Sequence, residues 1–409
     1  MKHLATTIAA GAVFCAASVL FEHVAFAGTA TNETIGGRTV RVFVPSQPDA
    51  KPSLVLMLHG CTQNAADFAA ATRMDDVAEA NGFVVAYPQQ DKLGTNGCWQ
   101  WYSTAHQSRD AGEPKELADI AQTVATAHGV SADRVYVAGI SSGGAMSVVL
   151  GATYPDRFAA IGVVAGLEYK AATSYAGSFS ATVSGGPDPD TQGTLAHTAM
   201  GSFARVVPTL VINGTSDGVV APINGDQVTQ QWRKTNELVL GDGSIADPTS
   251  DTGMAGYTFT RYLHHEKKNN AVVVEQIVVD GLGHAWPGGL ANGSYSDPKG
   301  PDASRTLWDF FKARSTTTPL PPDSGDPDPV PGSDAGTDPG TNSGGSSGNG
   351  ASTERTAPTD SPAASSSDDG GCATTPSRGT SVGGAVAPMA MALLAALVTI
   401  ARRRQRRAS

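Results

Sequence analysis

The chain has 409 residues, a formal net charge of −10, 16% charged and 40% hydrophobic residues. The acidic balance disfavours nucleic-acid binding, which asks for a basic face, while the hydrophobic share suffices for a globular core. The 4 cysteines are too few for a disulfide-built scaffold. No CxxC pair or Cys/His cluster has zinc spacing, so neither metal nor cofactor is expected.

Residues 1–27 begin with Lys2, run apolar over 4–20 and close on Ala25-Phe26-Ala27. That is the pattern of a secretory signal with an A-x-A cleavage site, and it implies export to an oxidising compartment. A buried N-terminal helix is the alternative. Residues 28–314 then have a normal length for one large α/β domain. In chain order, strands are predicted over Arg38–Val44, Leu54–Leu58, 83–87, 134–138, 159–164, 209–213 and Val272–Val279. Helices are predicted over 67–81, 116–128, 144–154 and 224–237. The inner strands are continuous apolar runs, as expected when both sheet faces are covered. Their alternation with helices predicts an α/β fold, a mostly parallel central sheet with helices on both faces.

Between 315 and 381 the only large apolar residues are Leu320 and Val330. A segment so rich in Pro, Gly, Ser, Thr and Asp cannot offset its chain entropy, which predicts a disordered linker. Residues 382–401 carry no charge and are long enough to span a bilayer; Arg402, Arg403, Arg404, Arg406 and Arg407 follow. By the positive-inside rule the arginines stay cytoplasmic and everything before them lies outside. The Gly370-Gly371-Cys372 run resembles the C-terminal Gly-Cys sorting segments of myxobacterial-type surface proteins. That resemblance implies cleavage of the tail near Cys372 during delivery to the surface; a plain membrane anchor is the alternative. Any membrane contact is expected only through 382–409.

The pattern G-x-S-x-G begins at Gly139, Gly214, Gly344 and Gly379. Gly-rich chains produce it by chance, so context decides. The last two matches fall in the linker and tail, and the second leads into Val219-Val220-Ala221-Pro222 rather than a helix. Only Gly139–Gly143 stands between a strand and a helix-prone run, which makes Ser141 the candidate nucleophile. A serine hydroxyl needs a base, itself oriented by a third group. Among His197, His264, His265 and His284, only His284 follows the last strand on a Gly-rich turn. His264-His265 reads as a solvated turn. Asp217 follows the 209–213 strand by one short turn, where ligands of open α/β sheets bind, and is the candidate acid; an Asx-turn residue is the alternative. The oxyanion hole asks for two backbone N–H groups. Ser142, after the nucleophile, and Cys61, in the loop after Leu54–Leu58, are the candidates. His59 is read as a loop brace. Cys61 and Cys98 are the only cysteines of 28–314. In an exported protein they are expected to pair; two isolated buried thiols are the alternative.

Leu58-His59-Gly60-Cys61-Thr62-Gln63, Gly97-Cys98-Trp99-Gln100-Trp101-Tyr102, Gly139-Ile140-Ser141-Ser142-Gly143-Gly144 and Gly283-His284-Ala285-Trp286-Pro287-Gly288-Gly289 resemble the poly(3-hydroxybutyrate) depolymerase family of esterases. That family is close to the feruloyl and acetylxylan esterases of carbohydrate esterase family 1. The resemblance runs through nearly all of 28–314. It implies an α/β-hydrolase fold, a Ser141–Asp217–His284 triad, Cys61 as an oxyanion donor, and hydrolysis of hydroxybutyrate esters. Feruloyl or acetylxylan ester hydrolysis is the alternative substrate class; a lipase-like enzyme, a serine peptidase and a non-catalytic surface adhesin are the other readings. Secreted polymer-degrading members usually carry a polymer-binding domain where this linker leads only to the apolar tail. Trp99, Trp101, Tyr102 and Trp286 fall in loops the fold brings toward the triad and are expected to wall the acyl site.

Overall fold

Every side chain of Leu54–Leu58 is buried, and alternate residues enter different cores: Leu54, Leu56 and Leu58 on one side, Val55 and Met57 on the other. Such a segment is stable only as a central strand covered on both faces. The structure, a computed structural model, describes residues 28–90 and 95–314. The expected signal segment 1–27, the expected linker 315–381, the apolar tail expected over 382–409 and the third and fourth G-x-S-x-G matches lie outside the described residues. No helix among the described residues is long and apolar enough to cross a membrane.

In chain order the elements are β1 (Thr29–Ile35), β2 (Arg38–Val44), β3 (Leu54–Leu58), α1 (Ala65–Thr72), α2 (Met74–Asn81), β4 (Val84–Pro88), α3 (Gly112–Ala127), β5 (Val135–Ile140), α4 (Ser142–Thr153) and β6 (Ala160–Val164). They continue as α5 (Tyr175–Ser184), α6 (Pro189–Met200), β7 (Thr209–Gly214), α7 (Ile223–Leu240), β8 (Thr249–Met254), β9 (Thr258–His265), β10 (Val272–Val279), β11 (Trp286–Pro287), β12 (Ser296–Asp297) and α8 (Ala303–Lys312). The main sheet has the order β1-β2-β4-β3-β5-β6-β7-β10-β9-β8. From β4 to β10 every pairing is parallel; β1, β2, β8 and β9 add antiparallel flanks. Phe68, Met74, Leu307 and Phe311 seat α1, α2 and α8 on one face. Leu117, Val148, Val228 and Trp232 seat α3, α4 and α7 on the other. This is the predicted α/β architecture, and it gathers the C-terminal ends of β3, β5, β7 and β10 at one edge.

The helix predicted over 67–81 is two helices. Arg73 adopts φ 56°, and its N–H closes α1 on Ala69 O. The segment Leu263–Asn270, read as a solvated turn, is instead the end of β9 and the tight connection to β10, with His264 opposite Val274. The flanking strands β1 and β8 are exposed and polar, so no apolar run announced them.

The connection from β6 to α5 buries Glu168, which is 1% exposed; among the described residues neither carboxylate oxygen has a hydrogen-bond partner. Burial, with a smaller contribution from Asp188, pushes its carboxyl up to about 8. Between the ordinary value of 4.5 and about 8, the folded chain holds a proton that the unfolded chain releases. Stability therefore falls as pH rises through that window. Glu168→Gln is expected to melt close to the parent in acid, below the window, and several degrees above it once pH exceeds the folded value. Thermal melts across pH check this; parallel curves for the two proteins would refute it.

Candidate active site

Ser141 is placed by its neighbours' lack of side chains. It adopts φ 58° and ψ −120° at the junction of β5 and α4, a conformation costly for any residue with a Cβ. A Cβ on Gly139 would sit 2.6 Å from Leu58 O, and one on Gly143 would overlap the same carbonyl. Glycine at both positions lets the turn press against β3. The Ser141 N–H donates to Val164 O at 2.9 Å, and Ser141 O accepts from Ala145 N–H at 2.9 Å. The turn is thus pinned to the sheet on one side and to the helix on the other.

Asp217 and His284 come from the loops after β7 and β10, which are neighbouring parallel strands. Those loops are laced together. Thr215 N–H donates to Val279 O at 3.0 Å, Ser216 N–H to Leu282 O at 3.0 Å, and Gly281 N–H to Thr215 Oγ1 at 2.8 Å. The result is a 2.7 Å contact between His284 Nδ1 and Asp217 Oδ2, with the two side chains 7% and 1% exposed. The other carboxylate oxygen of Asp217 accepts from Val219 N–H at 2.8 Å and Val220 N–H at 2.9 Å. The second G-x-S-x-G match is the turn that presents this acid, and its Ser216 faces solvent. His197 lies on α6 and His264 on β9, each outside this loop cluster.

The loop after β3 runs beside Ser141: a Cβ on Gly60 would be 3.3 Å from Ser141 Cβ. His59 is fully buried. Its Nε2 accepts from Gln90 N–H at 3.0 Å, so the ring proton sits on Nδ1 and is donated to Gly60 O at 2.8 Å. Burial lowers its pKa and keeps it neutral. This is a brace, as the sequence suggests. The Gly60 carbonyl also accepts from Gln63 N–H at 3.3 Å. In a trans peptide the N–H points opposite to the C=O. With Gly60 O held inward, the Cys61 N–H faces outward. Among the described residues, no acceptor meets the N–H of Cys61 or of Ser142. A Cys61–Cys98 disulfide ties this loop to the segment before α3. Behind it, Arg38 donates to Gln90 Oε1 at 2.8 Å and pairs with Glu116 at 2.6 Å. Gln90 Nε2 in turn donates to Glu113, whose carboxyl burial pushes up to about 7. A partly exposed serine on a strained turn, a hydrogen-bonded His–Asp pair and two unengaged N–H groups are the kinds of part that acyl transfer uses.

The sequence model of the family described as "Esterase PHB depolymerase" matches residues 42–251. This chain belongs to that family. Relatives include poly(3-hydroxyalkanoate) depolymerase C of Paucimonas lemoignei, 32% identical over 248 residues, covering 60% of this chain and 57% of that protein. Poly(3-hydroxybutyrate) depolymerase of Ralstonia pickettii is 34% identical over 268 residues, 62% of this chain and 52% of that protein. Acetylxylan esterase A of Emericella nidulans is 27% identical over 252 residues, 59% of this chain and 79% of that protein. The chain thus spans little more than half the length of the two depolymerases. Among solved structures, the acetyl xylan esterase from Aspergillus awamori shares the fold, with a TM-score of 0.57 at 22% identity over 70% of this chain and 99% of that one.

On this esterase-family scaffold the expected aromatic wall needs correction. Trp99 is enclosed, its indole N–H donating to His59 O at 3.0 Å and its ring lying 5.2 Å from the Arg38 guanidinium. Trp286 is enclosed as well, donating to Ser304 Oγ at 3.1 Å and meeting Phe68 edge-on at 5.5 Å. Neither presents a face to a ligand; both brace loops from beneath. Trp101 and Tyr102 are also buried, but Tyr102 meets Tyr175 at 5.5 Å, and Tyr175 is exposed. The exposed ring of this cluster is therefore that of Tyr175, on α5. Its Ser-, Thr- and Gly-rich sequence carries no helical apolar stripe that could have announced it.

Proposed function

We infer that the chain is a serine carboxylic-ester hydrolase acting on hydroxyalkanoate esters. The observation that carries the reading is the 2.7 Å His284 Nδ1–Asp217 Oδ2 contact, at the same sheet edge as the strained strand-to-helix turn of Ser141. With Nδ1–H donated to Asp217, His284 Nε2 is left as the acceptor for the Ser141 proton. Ser141 Oγ attacks the ester carbonyl. The oxygen that gains the negative charge is held by the N–H groups of Cys61 and Ser142. His284 returns the proton to the departing alcohol, leaving an acyl-serine. Water, deprotonated by the same imidazole, repeats the sequence and frees the acid. Asp217 holds the imidazole tautomer and offsets its transient positive charge.

The surface around the site supports an apolar acyl and alcohol portion. Residues 171–187 carry no charged side chain, nor do 218–223. The two segments are joined by Ala221 N–H donating to Thr182 O at 2.7 Å. They expose Tyr175, Val183, Val219 and Ile223, and Val219 N–H donates to Asp217. A polyester chain has no charge and few donors, and such a rim suits it better than it suits a polysaccharide, which asks for hydrogen bonds. The names of the depolymerase relatives agree with this choice. The disulfide supports an oxidising compartment, and with it export through residues 1–27. Hydroxybutyrate oligomers, acetylated xylan and methyl ferulate, compared on one preparation, test the substrate class. Hydroxybutyrate oligomers are expected to give the highest kcat/KM by about tenfold or more. A preference for acetylated xylan would move the chain to the acetylxylan esterase type.

A further inference from the structure

Two contacts join the loop that carries the Cys61 N–H to the loop that carries His284. Gln63 is 5% exposed, and its amide is used at both ends. Its Oε1 accepts from Gly60 N–H at 2.8 Å, and its Nε2 donates to Ser294 O at 2.8 Å. One residue before Gln63 and one after Ser294, Thr62 Oγ1 and Tyr295 OH lie 3.3 Å apart. The Tyr295 ring meets the His284 imidazole edge-on, with centroids 5.8 Å apart and an interplanar angle of 79°. Thr62 and Tyr295 both adopt positive φ, 64° and 50°. Residues with a side chain persist there only where their surroundings over-determine them. Tyr295 is anchored in turn, its carbonyl accepting from Trp286 N–H at 2.8 Å.

We propose that Gln63 and Tyr295 form a clasp that sets the spacing between the oxyanion donor Cys61 N–H and the base His284, so that both are positioning residues. The inference rests on the acyl-transfer reading above. The Gln63 side chain fixes the His59–Gly60 peptide, which adjoins the plane bearing the Cys61 N–H; the Gln63 main-chain N–H donates to Gly60 O in that second plane, and the same side chain reaches the base loop. A small rotation of that plane turns the donor away from the oxygen that becomes charged, and such an interaction counts only in the transition state. Tyr295 meets the imidazole edge-on while its hydroxyl meets the donor loop. Both steps of the reaction use the same donors, so kcat suffers whichever step limits it.

The test uses the full chain, p-nitrophenyl acetate as substrate, and an alkyl boronic acid whose tetrahedral serine adduct places an oxygen at the donors. Gln63→Leu keeps the volume and removes both bonds. It is expected to lower kcat by about 10²-fold, the scale of one lost oxyanion donor, with KM changed by less than about threefold. Boronate affinity is expected to fall in parallel with kcat, which general loosening of the loop surface would not produce. Tyr295→Phe and Thr62→Val sever one bond from opposite ends. Each is expected to lower kcat by roughly threefold to tenfold, and the double variant by no more than either alone. Tyr295→Phe lies at a partly exposed position and carries the test if Gln63→Leu does not fold. A kcat within about twofold of the parent in the variants that fold, or a loss confined to KM, overturns the clasp. If Ser141→Ala, assayed beside them, retains parental activity, the acyl-transfer reading itself has failed.

Discussion

Ser141→Ala is expected to fold like the parent and to lose ester hydrolysis by roughly 10⁴- to 10⁶-fold, as removal of a triad nucleophile does. The structure separates the two halves of this expectation. Alanine meets the same backbone cost as serine at φ 58°, and the bonds that pin the turn are main-chain ones to Val164 and from Ala145. Among the described residues the Ser141 hydroxyl makes no hydrogen bond, so melting should move little. The chemistry has no substitute, because the residual route is attack by water on an ester held by the Cys61 and Ser142 donors. Ser216→Ala is the matched control. It sits in the other described G-x-S-x-G segment, faces solvent, and contributes only its backbone N–H to Leu282 O. It is expected to keep parental turnover within about twofold. Steady-state hydrolysis of p-nitrophenyl acetate with thermal melts checks both variants. An inactive Ser216→Ala beside an active Ser141→Ala would reverse the assignment.

What was legible in the sequence follows from burial. Leu54–Leu58 and Val272–Val279 could be bounded to the residue because strands covered on both faces admit only apolar side chains or paired polar ones. The places of Ser141, Asp217 and His284 in the fold were legible for a related reason. Each follows the C-terminal end of a parallel strand, and turns at that edge need the Gly-rich chemistry that marks them. The misses have physical causes too. β1 and β8 are exposed edges whose stability comes from main-chain pairing with β2 and β9, which leaves no hydrophobic signature. α5 is amphipathic only weakly, because its outer face carries Tyr175 and Val183 rather than charges. Trp99 and Trp286 misled because closeness in sequence to Cys98 and His284 says nothing about which way a side chain points. Both indoles turn into the core, where each finds an acceptor for its N–H. Gln63 stood in the quoted motif, yet its part in joining two loops depends on Ser294, a partner 231 positions away.

Asp217→Asn is the substitution for which geometry makes the sharpest statement. In the parent, one carboxylate oxygen accepts from Val219 N–H at 2.8 Å and Val220 N–H at 2.9 Å; the other accepts from His284 Nδ1 at 2.7 Å. An asparagine at this place has one oxygen and one amide nitrogen to distribute. The two backbone donors require the oxygen, so the amide N–H₂ faces Nδ1. The imidazole then has to accept at Nδ1 and carry its proton on Nε2, the nitrogen that must take the proton of Ser141. Loss of kcat is expected to be about 10⁴-fold, from a tautomer change with almost no change in shape. Melting should stay close to the parent, because the bonds to Val219 and Val220 survive. Asp217→Ala differs in that respect. It removes the acceptor from two backbone N–H groups, one on a buried residue, and is expected to cost about 1–3 kcal/mol of stability in addition to the activity. Two inactive variants, one melting like the parent and one lower, identify Asp217 as the residue that orients His284 and also ties its own turn together. Turnover within about tenfold of the parent in Asp217→Asn would mean that the tautomer is set elsewhere and that the His284–Asp217 contact is structural.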